Sequence, residues 1–148
     1  MALDEGRWAY MGTIARLNGT FRTYEAFSIH APAGSDRWVG RSFGGDVGGT
    51  EETAEPQFQR LIGTSLVPEE DGELVTSSAI KFNSCKGPDQ EGRYEAELEY
   101  TLASRSGGTE YVDNVSWYSE HGSYFAEDIR NEDGRVVARR SGVNTPIE

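Results

Sequence analysis

The chain predicts an all-β fold, an antiparallel up-and-down barrel of about 8–10 strands, from three observations. Turn residues interrupt the sequence at short intervals, with 18 glycines among 148 residues. Between them run short stretches of alternating apolar and polar residues, the two-residue period of a strand. No stretch carries a convincing helical period. Sequential hairpins with short links form a meander, and closing the meander into a barrel removes its exposed edges. A two-sheet sandwich is the alternative.

The first strand is "WAYMGTIARL" (8–17), ended by Asn18-Gly19, a hairpin signal because both residues tolerate positive φ. "TFRTYEAFSIH" (20–30) returns, "APAGSD" is a loop, and "RWVGRSF" (37–43) is a third strand. Residues 44–57 are glycine-rich and acidic, with Asp46, Glu51, Glu52 and Glu55, and are expected to form a flexible loop or lid. "FQRLIGTSLV" (58–67) and "ELVTSSAIKF" (73–82) read as strands on either side of the turn "PEEDG". After the loop "NSCKGPDQEG", "RYEAELEYTLA" (93–103) has the cleanest alternation: Tyr94, Ala96, Leu98, Tyr100 and Leu102 on one face, charges on the other. "EYVDNVSWYS" (110–119), "SYFAEDIRN" (123–131) and "RVVARRSG" (135–142) complete the meander. The expected interior includes Leu98, Tyr100, Leu102, Phe27, Ile62 and Val115.

The length suits a single domain over 1–148, long enough to bury a core. The net charge of −11 repels phosphates, which argues against nucleic acid and anionic membranes as partners. One cysteine, Cys85, excludes an internal disulfide or a cysteine-rich metal site, and His30 and His121 read as strand-end and turn residues. "FGGDVGG" lacks the lysine and spacing of a phosphate loop, and the acidic turns lack the spacing of a calcium loop, so no cofactor or metal is expected. "MALDEGRW" has neither the basic nor the apolar region of a secretory signal, and no apolar run is long enough to span a bilayer; the expectation is a cytoplasmic protein.

Leu3, Gly6 and Trp8 stand in an L-x-x-G-x-W arrangement, and Arg139 and Arg140 lie on the last strand. This resembles the calycin superfamily, which includes the lipocalins. The resemblance implies that the tryptophan closes one end of the barrel under a basic residue of the last strand. It also implies a central cavity for a small, largely apolar molecule, in some members with isomerase or lyase chemistry. The tight first hairpin and the absence of a cysteine pair depart from the secreted lipocalins and point to the small intracellular bacterial barrels.

Four strands place a charge within an otherwise apolar row: Glu25 with Phe21, Phe27 and Ile29; Arg60 between Phe58 and Ile62; Asp113 among Tyr111, Val115 and Trp117; Glu127 between Phe125 and Ile129. If those rows face inward, the charges form a polar cluster in an apolar cavity, the composition of a ligand pocket. Glu25, Asp113 and Glu127 are then candidate acid–base groups, since a carboxylate beside arginine stays ionised and one without such a partner holds its proton. Arg60, Phe27, Phe58, Tyr100 and Trp117 are candidate ligand contacts. Each charge could instead face solvent across a slipped register, or form an ion pair that only fixes the fold.

The expected function is therefore a barrel that holds a small hydrophobic or aromatic molecule. One form is a cofactor-independent lyase, isomerase or cyclase working by carboxylate chemistry and confinement. The others are a non-catalytic carrier and an acidic interaction module with a filled interior. Tyr118, Val112 and Val39, read as outward, suggest pairing as a homodimer.

Overall fold

The computed structural model describes residues 6–104 and 106–147. Eleven antiparallel strands are present: β1 (Gly6–Arg16), β2 (Phe21–Gly34), β3 (Arg37–Phe43), β4 (Gln57–Ile62), β5 (Ser65–Glu70), β6 (Glu73–Leu74), β7 (Ile80–Lys86), β8 (Tyr94–Ala103), β9 (Thr109–Ser119), β10 (Gly122–Arg130) and β11 (Val136–Ile147). Each long strand pairs with its sequence neighbours, β11 pairs with β1, and β4 pairs with β5 from Phe58↔Glu69 to Ile62↔Ser65. These pairings close ten strands into a barrel, and short β6 lies beside β5 outside the ring. The only other regular element among the described residues is a 3₁₀ turn over Thr76–Ser78.

Two of the sequence-predicted strands are each two elements. The stretch 58–67 folds back on itself at Gly63, whose φ of 60° is the left-handed conformation that a glycine adopts without a Cβ penalty. The stretch 73–82 breaks at the 3₁₀ turn. In the first hairpin only Gly19 takes positive φ; the chain makes a turn closed by the Gly19 N–H on the Arg16 carbonyl, while Asn18 Oδ1 accepts from both the Thr20 N–H and its hydroxyl. Strand β11 runs five residues beyond the predicted end, matching β1 along its length.

Register fixes which side chains share a face. One girdle runs Ile14↔Arg140↔Glu127↔Asn114↔Leu98↔Phe82 across five neighbouring pairs of strands. The next runs Tyr24↔Gly12↔Gly142↔Phe125↔Ser116↔Ala96. Both face inward. On the other side of the first girdle, buried Val112, Ile129 and Ala138 pack with Ile14, Tyr100, Leu102 and Val137 to form the dense part of the core. Val137 is the extra residue of a bulge, opposite the junction of Ile129 and Arg130.

The predicted row on β8 does face inward: Ala96 and Leu98 are buried, and Tyr100 and Leu102 join the core. Phe27, Ile62 and Val115 occupy the opposite, outer face, with Phe27 and Ile62 exposed. Val112 is buried and Tyr118 lines the interior, so of the three residues expected on an outer dimer face only Val39 points outward. Exposed apolar groups on the outside include Met11, Phe27, Tyr124 and Val143.

Residues 44–57 fold against the outer wall. Asp46 donates its backbone N–H to the Glu25 carbonyl and accepts the Glu25 N–H on its carboxylate at 2.8 Å, taking the place of a paired strand where β3 has ended. Glu51 and Arg7 form a two-pronged ion pair with both contacts at 2.7 Å, and Arg41 donates to the Ala54 carbonyl. The bond from the Glu25 backbone, with Arg22 nearby, holds the Asp46 carboxyl below its ordinary range.

Candidate functional site

Residues of strands β1, β2, β5, β7, β8, β9, β10 and β11 line an open cavity of about 420 Å³. Leu66, Ile80, Phe82 and Leu98 form one apolar wall, and Tyr10, Tyr24 and Phe125 the facing aromatic wall. Tyr10 lies parallel to Phe125, 6.0 Å apart by ring centroids, and shares a hydrogen bond of 2.9 Å with the Tyr24 hydroxyl. Gly12 and Gly142 make room for this stack. A Cβ on Gly142 would sit 2.7 Å from both rings, and one on Gly12 would sit 2.5 Å from the Tyr10 hydroxyl.

At the cavity's edge lies one connected polar group. Arg140 and Glu127, directly opposite on β11 and β10, are joined by a hydrogen bond from Arg140 Nε to Glu127 Oε1. The other Glu127 oxygen accepts the Tyr100 hydroxyl at 2.7 Å and Asn114 Nδ2 at 2.8 Å. Arg140 Nη2 donates to the Tyr100 oxygen at 2.6 Å, and Ser116 Oγ donates to Asn114 Oδ1. The Glu127 side chain is fully buried, while a quarter of the Arg140 side chain remains accessible.

The electrostatics follow from these contacts. Burial works against the Arg140 cation, but Tyr100 and Glu127 beside it outweigh that and raise its pKa further. Burial pushes the Tyr100 hydroxyl above its usual range, and Glu127 pushes in the same direction against Arg140. Tyr10 is raised by burial and by its bond with Tyr24. The cavity therefore presents phenols, one carboxylate that accepts three hydrogen bonds, and a partly accessible guanidinium. A guanidinium carries five N–H donors. Among the described residues Arg140 bonds Glu127 through Nε and Tyr100 through Nη2, and a quarter of its side chain remains accessible.

Of the sequence-predicted site residues, the barrel brings together Glu127 and Tyr100. Glu25 stands on the outer wall opposite Met11, exposed, with Phe27 two residues on and also outside. Asp113 is outside too, 61% exposed and paired with Arg130. Arg60 bridges to Glu69 on the outer face of β4 and β5, and Phe58 beside it lies under the Arg37 guanidinium at 4.2 Å. Trp117 stacks on Tyr124 at 4.6 Å on the outside. The expected cluster of Glu25 with Arg60 and Asp113 is thus corrected: those three rows are the barrel's outer faces. The inner faces of β2 and β9 instead bring Tyr24, Asn114, Ser116 and Tyr118 to the cavity and Val112 to the core.

Of the calycin resemblance, Leu3 lies outside the described residues, and the implied packing of a last-strand arginine over the tryptophan is corrected. Trp8 is buried opposite Ser28 and Pro146, whereas Arg140 lies opposite Ile14, further along β1, and Arg139 points outward onto Asp128. The partners of Glu127 that sequence reasoning missed are Arg140 and Asn114, the latter bonded in turn by Ser116. Consecutive arginines on a strand must point to opposite faces, so "ARRSG" already required that one arginine face inward.

Among the described residues no cluster of histidine, cysteine or carboxylate side chains could hold a metal ion, and no helix is long and apolar enough to cross a membrane. No family model matches the chain, and no curated protein matches it. Among solved structures it is similar to a protein of unknown function of the DUF3598 family from Nostoc punctiforme, with a TM-score of 0.58 at 10% sequence identity. The match covers 97% of this chain and 47% of that protein, so this chain spans about half of its length. At that identity the likeness is one of fold: a small antiparallel β-barrel.

Proposed function

We propose that this protein binds a small, mostly apolar organic molecule inside its barrel, with the molecule's polar end against Arg140, Tyr100 and Asn114. The observation that carries this reading is the open cavity of about 420 Å³ with apolar and aromatic walls and one polar group at its edge. Pockets for small molecules have this size and composition. An interaction module would have no use for an unfilled interior. The test is titration with the neutral fluorophore Nile red, together with native mass spectrometry of protein purified from its host. One saturable site is expected, lost when Leu98→Trp fills the cavity and kept when Val115→Trp alters the outer wall. Equal binding by both variants would end the reading.

A second reading, a cofactor-independent lyase, isomerase or cyclase, is favoured by one contact: the Tyr100 hydroxyl bridges Glu127 and Arg140. A phenol so placed can pass its proton to a substrate oxygen while the guanidinium steadies the charge left behind. Burial and Glu127, which raise the Tyr100 pKa, oppose that release, and Glu127 already accepts three hydrogen bonds. Binding without chemistry is the better fit. Turnover of a co-purified molecule that Tyr100→Phe abolishes without loss of binding would reverse the order.

A further inference from the structure

Charge accounting inside the barrel says which chemical class the cavity takes, and this inference rests on the binding reading above. The ionisable groups lining the cavity are Tyr10, Tyr24, Tyr100 and Tyr118, with Glu127 as the one carboxylate and Arg140 as the one guanidinium. Strands β5 and β7 add Leu66, Ile80 and Phe82 to the lining, none of them ionisable. The lining is therefore neutral as a unit, its single positive charge answered by a carboxylate already bonded to it.

A bound anion would leave one negative charge uncompensated among apolar walls, an arrangement that desolvation penalises strongly. A bound cation would face the same penalty with the sign reversed, because Glu127 has its donors already. Arg140, a quarter of whose side chain is accessible and whose guanidinium carries five N–H donors, can bond a further acceptor, and a neutral carbonyl, ester or amide oxygen supplies one without adding charge. We infer that the cavity selects an uncharged, lipophilic ligand carrying a hydrogen-bond-accepting oxygen, such as an aryl ketone, over the corresponding carboxylate. Glu127 is then a specificity residue: it cancels the Arg140 charge and sets the cavity against anions.

The test uses three probes with one apolar body, naphthalene, 2-acetylnaphthalene and 2-naphthoate, in equilibrium dialysis near neutral pH. The wild-type protein should bind the ketone most tightly and the carboxylate at least about tenfold more weakly. Glu127→Gln keeps the shape and most of the hydrogen bonding but removes the balancing charge, so it should shift preference toward 2-naphthoate by about tenfold or more. Wild-type protein that binds 2-naphthoate as well as the ketone would overturn the inference and leave the binding reading standing. Failure of all three probes would overturn the binding reading itself. The wild-type comparison decides the matter even if Glu127→Gln does not fold.

Discussion

Arg140 and Glu127 face each other across β11 and β10 in the barrel interior, and each also bonds Tyr100. Two strands, two girdle positions and a phenol from a third strand hold one ion pair in place. Such a pair stabilises mainly by not being broken. Desolvation offsets most of its attraction, whereas removing one partner strands a charge in the interior at about 3–5 kcal/mol.

Arg140→Met should therefore lower the free energy of unfolding by about 3–5 kcal/mol, because Glu127 is buried and keeps only its neutral donors. The double variant Arg140→Met/Glu127→Leu should recover most of that loss. Urea unfolding of the two single variants and the double variant measures the coupling. Additive losses would mean that the pair does not act as a unit.

The glycines that admit the aromatic wall give a second prediction. Strand glycines usually weaken a sheet, so an inward-facing pair directly opposite one another, Gly12↔Gly142, needs a reason. The reason is space for Tyr10, Tyr24 and Phe125. Gly142→Ala should destabilise by about 1–3 kcal/mol through overpacking, and should change probe affinity because it shifts the stack. Ser141→Ala, next in sequence but on the outer face, should do neither. Thermal melts and dialysis on the two variants compare them.

How far the sequence carries depends on which contrast a strand offers. On β8 the two rows differ sharply, Tyr94 to Leu102 against Arg93 to Thr101, and reading the apolar row as inward is right. On β2 and β9 both rows are mixed. There Phe21, Phe27 and Trp117 are large yet outside, while Tyr24, Asn114 and Ser116 line the interior. A barrel that keeps a cavity needs space and polar groups inside, so hydrophobicity alone assigns the wrong face where the neighbouring strand supplies the bulk. Glu127 is legible because Phe125 and Ile129 beside it are inward. Its partner Arg140 enters the sequence reading only as a last-strand arginine, and the rule that adjacent strand residues alternate is what sends one of that arginine pair inward.

The buried phenols make stability depend on alkaline pH. Tyr10 and Tyr100 both have folded-state pKa values raised above the ordinary 10.0, by burial first and then by Tyr24 and Glu127 respectively. The folded state therefore holds more protons than the unfolded state once the pH passes 10.0. Their contribution is complete below that value and is lost as pH rises through the folded values. Urea midpoints should fall between about pH 9 and about pH 11, and the fall should be smaller in Tyr100→Phe. Tyrosinate absorbance should show two phenols ionising above the ordinary range, one of them missing in Tyr100→Phe.

The corrected face assignment gives the last prediction. Glu25 is exposed on the outer wall, and its backbone, not its carboxylate, makes the bonds that hold Asp46. Glu25→Gln keeps both backbone bonds to Asp46, and should leave stability within about 0.5 kcal/mol and probe binding unchanged. Arg60 has a 43% exposed side chain and one contact, 3.6 Å from Glu69, which Arg37 also bonds at 2.7 Å. Arg60→Leu should therefore cost no more than about 1 kcal/mol, the range of exposed ion pairs. Asp46→Ala, by contrast, removes the acceptor for the Glu25 N–H, and limited proteolysis should then cut within 44–57 faster than in wild type. Loss of probe binding in Glu25→Gln, with Glu127→Gln silent, would relocate the site to the outer wall. The expected pattern is the reverse, because only Glu127 shares the cavity with Arg140.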